Sequence, residues 1–350
     1  MGSAQCRIAG LPVLTDRLRG ARRRRRLTGP GSQLMGTTES SPRAGASAKG
    51  TTPDICIILN RGAGAGKDSD FDQRLEAALR RYPGRFGVER VDRDGKLRAT
   101  IRRAVDASFS TIAAAGGDGT IGAVAQELAG TGIVLGIIPL GTFNYVARGL
   151  GIPLDLADAV DALAAGSPRP FPVGEVNGRI FLNNASVGIY PTILEQREGI
   201  YRRFGRSRIA AHWSVATTFL RFYRPLSIKV TVDGQEIRTR TPLVFIARSA
   251  YQMETLGLDG TEEVRRGRFA VFLAPDVGRA GLMIYALRLA WGNLKAGRDV
   301  EQVFGEDILI ETRGRERLVA RDGERERLTT PLHFRVRRDA LKVIAPPRDG

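Results

Sequence analysis

The chain has 350 residues, 42% of them apolar, and a formal net charge of +17 from 54 Lys and Arg against 37 Asp and Glu. That length suits two domains with real hydrophobic cores, while two cysteines and two histidines argue against a disulfide framework or a zinc cluster. No apolar run reaches transmembrane length, the N-terminus lacks the order of a signal peptide, and the expected setting is the reducing cytoplasm.

Residues 1–50 are rich in Gly, Ser, Thr, Ala and Arg and read as a disordered basic tail. The plainer reading of Arg22–Arg26 is a solvated extension upstream of a start at Met35; the sharper one is a membrane or RNA tether. The pattern changes at Pro53. Ile55–Leu59 is a predicted strand. Asp70–Tyr82 is a helix with Phe71, Leu75, Ala78, Leu79 and Tyr82 on one face. Phe86–Val91 is a strand, and Leu97, Ile101, Ala104 and Val105 line the next helix. Strand Thr111–Ala115, helix Ile121–Leu128, strand Ile133–Ile138 and helix Leu154–Ala165 follow. Such alternation with short connections predicts a parallel α/β sheet over 51–168. Gly166–Pro172, with three prolines, reads as a hinge. The rest is mostly β: Arg179–Val187, Leu226–Val232, Gln235–Arg240, Leu243–Arg248, Arg268–Leu273, Asp307–Thr312, Arg317–Arg321, Leu332–Arg337 and Leu341–Ile344. Asp233-Gly234 and Asp322-Gly323 are hairpin turns. Ser207–Tyr223 and Gly281–Ala296 are helical. The second mixes apolar side chains with Arg279, Arg288, Lys295 and Arg298, which fits a core helix with a charged rim and also an interfacial helix meeting a bilayer. The fold class is therefore α/β plus β, with a mainly antiparallel domain over 169–341 packed beside the first.

Three loops fall at carboxyl ends of the predicted parallel strands, where ligands bind on such sheets. In Gly116-Gly117-Asp118-Gly119-Thr120 the glycines let backbone approach a bulky anion, and the helix start offers free amides to it. Asp118 repels a phosphate unless Mg²⁺ lies between them or it orients a ribose or a lysine. The first loop holds Asn60, Gly62, Gly64, Gly66 and Lys67. It is not a P-loop, since Arg61 stands five residues before Gly66 and Asp68 follows the lysine. The third loop holds Gly141, Thr142 and Asn144; Thr142 offers a hydroxyl, and Asn144 suits a helix N-cap.

Gly116–Thr120 resembles the phosphate loop shared by lipid kinases of the diacylglycerol and sphingosine kinase type, NAD kinases and phosphofructokinases. Leu135–Pro153, LGIIPLGTFNYVARGLGIP, resembles the PxGTxNxxAxxLGIP block of the lipid kinase catalytic domain. The resemblance runs from about residue 53 to the C-terminus. Asn60–Gly64 is similar to the family's NPxSG loop, with Arg61 for proline and Ala63 for serine. Tyr145 replaces the aspartate of GTxND, and Gly122-Ala123 an Asn-Glu pair. Asn183–Gly188 matches NxxSxG. Asp322-Gly323-Glu324 matches the C-terminal DGE, which implies that Glu324 is the general base and that Asp322 orients it or holds a metal. The turn at Asp233–Glu236 is similar on its face but reads as a plain surface hairpin. Where the family places Asp-Gly at a structural Mg²⁺ site, this chain has Arg266-Gly267, and arginine does not bind the ion.

The resemblance implies an ATP-dependent lipid kinase that phosphorylates a hydroxyl of a membrane lipid, diacylglycerol foremost. ATP and Mg²⁺ are the implied cofactors, with Asp118 acting through nucleotide-bound magnesium. It also implies an active site in the cleft between the two domains and a C-terminal segment, about 342–350, that returns to the first domain. The expected partner is a lipid substrate at an anionic bilayer, reached from the inner face of the membrane, and no nucleic acid is expected. Oligomeric state stays open, a homodimer included. Two alternatives remain at this stage: an NAD kinase-like enzyme acting on a soluble substrate, and a nucleotide- or lipid-binding regulator with reduced catalysis.

Overall fold

The computed structural model describes residues 53–60, 70–91, 96–189, 224–278, 280–281, 284 and 300–346. The tail 1–50, the helix expected at Ser207–Tyr223 and all of Gly281–Ala296 except Gly281 and Ile284 lie outside these residues.

The first domain is a six-stranded sheet in the order β2-β1-β3-β4-β18-β5. Strands β1 (Ile55–Leu59), β2 (Phe86–Arg90), β3 (Thr111–Gly116) and β4 (Val134–Pro139) run parallel. Period-two alternation splits them cleanly. Ile55, Ile57, Ala113 and Ile138 face one core, with α1 (Phe71–Arg80) and α5 (Leu156–Ala165) over it. Cys56, Ile58, Ile112, Ala114 and Ile137 face the other, covered by α2 (Leu97–Asp106), α3 (Asp118–Leu128) and α4 (Tyr145–Gly149). A sheet buried on both faces needs strands that are apolar throughout, and β1 is buried at all five positions. The α1 face is Phe71, Leu75, Ala78 and Leu79, all buried. Helix α5 starts at Leu156 rather than Leu154 because the Asp155 carboxylate caps it, accepting from Ala157 and Asp158 N–H at 2.8 and 3.2 Å.

The expected hinge at Gly166–Pro172 is instead an edge strand, β5 (Ser167–Pro170), antiparallel to β18 (Lys342–Ala345). Prolines are tolerated there because the outer side of an edge strand needs no ladder N–H. Strand β18 also runs parallel to β4, so the end of the chain closes the first sheet.

The second domain is a sandwich of two six-stranded sheets. One has the order β10 (Gln235–Thr241), β9 (Leu226–Val232), β14 (Asp307–Thr312), β17 (Leu332–Arg337), β6 (Val173–Val176), β7 (Arg179–Phe181); the other has the order β13 (Glu301–Gly305), β12 (Phe269–Leu273), β11 (Leu243–Ala247), β8 (Asn184–Gly188), β15 (Glu316–Arg321), β16 (Glu324–Thr329). Their inner faces share a core that includes Phe181, Val187, Val230, Ile246, Phe269, Val271, Ile308, Val319 and Phe334. Two short helices, α6 (Ala250–Thr255) and α7 (Thr261–Arg265), pack Met253 and Val264 against Ala270 and Phe272 on the outer face of the second sheet.

Arg179–Val187 is not one strand. It is β7 (Arg179–Phe181) in the first sheet of the sandwich and β8 (Asn184–Gly188) in the second. The chain changes sheets at Leu182–Asn183, where the backbone amides turn to a carboxylate rather than to a neighbouring strand.

Candidate active site

Three strand ends converge as the parallel topology requires. The Asn60 side-chain amide, just past β1, donates to Thr120 Oγ1 at 3.0 Å, so Thr120 is turned inward and buried. The next two loops touch each other. A Cβ on Gly141 would lie 2.6 Å from Gly117 Cα, so Gly141 needs to be glycine for the close approach, while a Cβ on Gly117 would meet Gly141 Cα at a tight 3.3 Å.

Asn144 has φ 51°, a left-handed conformation that asparagine adopts at modest cost. It does not cap α4 with its side chain. Its Oδ1 accepts from Gly141 N–H at 3.0 Å and its Nδ2 donates to the Gly141 carbonyl at 2.9 Å, which folds the Gly141–Asn144 loop on itself. The side chain at the start of α4 comes from the other loop: Asp118 Oδ1 accepts from Val146 N–H at 3.4 Å. Burial raises the Asp118 carboxyl above the ordinary aspartate value, against backbone donors of Val146, Asn144 and Tyr145 that favour the anion. Asp118 therefore ties the two loops together and places a negative charge at the α3 and α4 starts. Thr142 is exposed beside them. Next to it Phe143, 59% exposed, lies flat on Tyr145, with ring centroids 5.5 Å apart, and Tyr145 meets Tyr251 of α6 at 6.5 Å. The residue that replaces the family's aspartate thus reaches the second domain through an aromatic contact.

The second domain brings the hairpin of β15 (Glu316–Arg321) and β16 (Glu324–Thr329) to this crevice. Asp322 has φ 47° in its tight turn. Its carboxylate accepts from the N–H groups of Leu182, Asn183 and Asn184 at 2.7, 2.8 and 3.1 Å. Burial pushes this carboxyl up, while those three amides and Arg321 pull it down. Asp322 is thus spent on backbone, and it holds the β7–β8 crossover against the hairpin. Glu324 is exposed, and its Oε1 lies 3.8 Å from where a Cβ on Gly119 would stand. The hairpin carboxylate and the first turn of α3 therefore face each other across the domain boundary.

Of the residues singled out in the sequence, Asn60, Gly116–Thr120, Gly141, Asn144, Asp322 and Glu324 form one constellation, and Thr142 lies at its rim. Gly62, Gly64, Gly66 and Lys67 lie outside the described residues. Gln126 and Arg321 are joined to the constellation through Ile180, and no sequence motif marked that connection. Only the seven-residue spacing from Gly119 to Gln126, which puts both on one helix face, hinted at it.

Magnesium is tested by the donors present. Among the described residues no group of three or more His, Cys, Asp or Glu is arranged to hold a metal. Asp118 and Glu324 flanking a phosphate loop fit an ion carried in by a nucleotide, which needs only one or two protein carboxylates. The family's second, structural magnesium does not fit. Arg266 pairs with Glu263 at 2.7 Å, and Glu263 also binds Arg268 at 2.9 Å, so guanidinium groups occupy that corner.

Residues 54–176 match the diacylglycerol kinase catalytic domain, and residues 199–345 match the YegS C-terminal NAD kinase beta sandwich-like domain. The chain thus carries a diacylglycerol kinase catalytic domain followed by a YegS-type C-terminal domain. Proteins similar to it include a "Probable lipid kinase YegS-like" of Pseudomonas aeruginosa, 42% identical over 39% of this chain and 44% of that protein. A diacylglycerol kinase of Bacillus subtilis is 46% identical over 36% of this chain and 42% of its own length. The chain thus spans less than half the length of these curated relatives. The fold is matched more widely. A diacylglycerol kinase structure from Bacillus anthracis str. Sterne superposes with a TM-score of 0.61 at 22% identity, over 84% of this chain and 97% of that one.

Proposed function

We propose that the protein transfers the γ-phosphoryl group of ATP to a hydroxyl of a membrane lipid, with diacylglycerol the first candidate. The observation that carries this reading is the placement of Glu324 over Gly119. The start of α3 is where helix amides and the helix dipole favour an anion, with Thr120 N–H already donating to the Gly117 carbonyl at 2.9 Å. A carboxylate facing that point from the other domain is placed to take the proton of an arriving hydroxyl. The lipid oxygen bonds to the γ-phosphorus, the bond to the β-phosphate oxygen breaks, and ADP leaves. Nucleotide-borne magnesium, near Asp118, supplies charge neutralisation when bound. The backbone amides around Gly116–Thr120 orient the phosphates, and Asp118 keeps that loop fixed to Gly141–Asn144.

The lipid acceptor is supported by the Leu135–Pro153 block and by the kinship above. The net charge of +17 suits an anionic bilayer surface, and among the described residues no helix is long and apolar enough to cross one. The NAD kinase-like description of the C-terminal domain keeps a soluble acceptor as the second reading. Transfer of labelled γ-phosphate to a panel of diacylglycerol, ceramide, a sphingoid base and NAD decides between them. Label in phosphatidic acid is expected. Label in NAD, or ATP binding with no transfer to any of the four, overturns the proposal.

A further inference from the structure

Gly119, Gly122 and Gln126 are spaced i, i+3, i+7 and share one face of α3. That face looks at the second domain along its whole length. Gly119 faces the Glu324 carboxylate, and a Cβ on Gly122 would stand 4.0 Å from Asp322 Oδ2. Gln126 makes a hydrogen bond from this face: its Oε1 accepts from the backbone N–H of Ile180 at 2.9 Å.

Ile180 sits in β7, the edge strand of its sheet, opposite Glu175 of β6 (Val173–Val176). Its N–H and C=O are turned away from β6 and find side chains. Gln126 takes the N–H, and Arg321 Nη1 donates to the C=O at 2.7 Å. Arg321 is the residue before Asp322, and Asp322 holds the amides of Leu182, Asn183 and Asn184. Residues 180–184 are therefore a strap gripped by the phosphate-loop helix at one end and by the Glu324 hairpin along its length. The helix, the strap and the hairpin close a ring that returns to Gly119 at Glu324.

We propose that Gln126 is a positioning residue for phosphoryl transfer. Its bond to the Ile180 N–H fixes the distance between the phosphate loop and Glu324, two helical turns away. The inference rests on the kinase reading above. Gln126 touches neither nucleotide nor acceptor, so its loss changes where Glu324 stands and leaves the phosphate cradle intact. A misplacement on the scale of 1 Å costs up to about a hundredfold in rate.

The test compares three variants in the lipid phosphorylation assay, with thermal melting alongside. Gln126→Leu keeps the bulk and removes the acceptor oxygen. Gln126→Asn keeps the amide but is one methylene too short, so it tests the same bond without placing an apolar residue at a half-buried site. Gln126→Glu keeps an acceptor at full length. The expected result is a fall in kcat of about tenfold or more for Leu and Asn, an ATP KM within about threefold, and recovery of most of the loss in Glu. Should Leu fail to fold, Asn against Glu carries the comparison. Normal kcat in Asn, or a loss in Glu equal to that in Asn, overturns the proposal. Absence of transfer by the unsubstituted protein overturns the kinase reading instead, so the two failures are distinguishable.

Discussion

Asp118 has a role in the fold and, in the proposed function, a second one in the chemistry. In the sequence it is the residue a phosphate loop does not need, and its charge pointed to magnesium. The structure adds a second reason, because its carboxylate accepts from Val146 N–H at the start of the neighbouring helix. Asp118→Asn separates the two. Asparagine keeps an oxygen for that amide and removes the charge, so transfer is expected to fall by roughly a hundredfold or more while the loops stay tied. Near-normal turnover would reduce Asp118 to a loop tie. Stability follows the proton. Burial raises the folded carboxyl above its unfolded value, so the group's contribution is fully present below about pH 4 and is lost as pH rises through the folded value. Asparagine does not titrate, so the melting temperature of Asp118→Asn minus that of the parent should rise between pH 4 and 7. A flat difference would show that the carboxyl is not raised. Glu324 carries the base assignment. Glu324→Gln should lower kcat about a hundredfold or more, leave ATP affinity within a few fold, and move stability by no more than about 0.5 kcal/mol. Glu236→Gln, in the other Asp-Gly hairpin, should do almost nothing. If the two outcomes are reversed, the catalytic turn has been misassigned.

Those two hairpins show what an element's sequence conveys. Asp233 and Asp322 have φ 46° and 47°, and both aspartates take backbone amides from another segment, Asp233 those of Glu306 and Asp307. The local chemistry is the same, and what distinguishes them is that tertiary structure carries only one to the first turn of α3. The strands and helices of the first domain were legible because their apolar periodicity is what buries them. The break between β7 and β8 was not, since its cause, the Asp322 carboxylate, lies 138 residues or more along the chain from those amides. Edge strand β5 was hidden for the opposite reason: its prolines obey local rules, and only β18 explains them. The loop glycines were legible as glycines, but the demand on Gly141 comes from Gly117, not from a ligand. Gly141→Ala places a methyl 2.6 Å from backbone, and overpacking of this kind costs about 1–3 kcal/mol. Gly122→Ala, with its nearest neighbour 4.0 Å away inside a helix, should instead gain roughly 0.5–1 kcal/mol. Chemical denaturation of both variants checks the contrast, and equal effects would mean that the two loops do not touch in solution.

At the scale of the whole molecule, the contacts that join the two bodies among the described residues include the following three. Strand β18 returns to the first sheet, the Tyr145–Tyr251 contact links α4 to α6, and the Gln126–Ile180 bond links α3 to β7. The family usually adds a structural magnesium, and here Arg266, Arg268 and Glu263 fill that corner with ion pairs. Chelation should therefore leave the melting temperature of the ATP-free protein unchanged and abolish turnover with ATP. A fall in melting temperature with chelator would reveal a resident metal. The last expectation concerns charge. Formal net charge is +17, and residues 1–50, with ten basic and two acidic groups, account for less than half of it. Residues 51–350 are thus basic by themselves, and any attraction of that charge to an anionic bilayer would fall off within about 10 Å at 0.1 M salt. Turnover on diacylglycerol in vesicles should rise with the anionic lipid fraction and drop between about 50 and 300 mM salt, and deletion of residues 1–50 should change this little. Turnover on detergent-dispersed diacylglycerol should be much less salt-sensitive, because there is no charged surface to reach. If salt acts equally in vesicles and detergent, the basic charge serves the nucleotide rather than the membrane, and the bilayer partner is withdrawn.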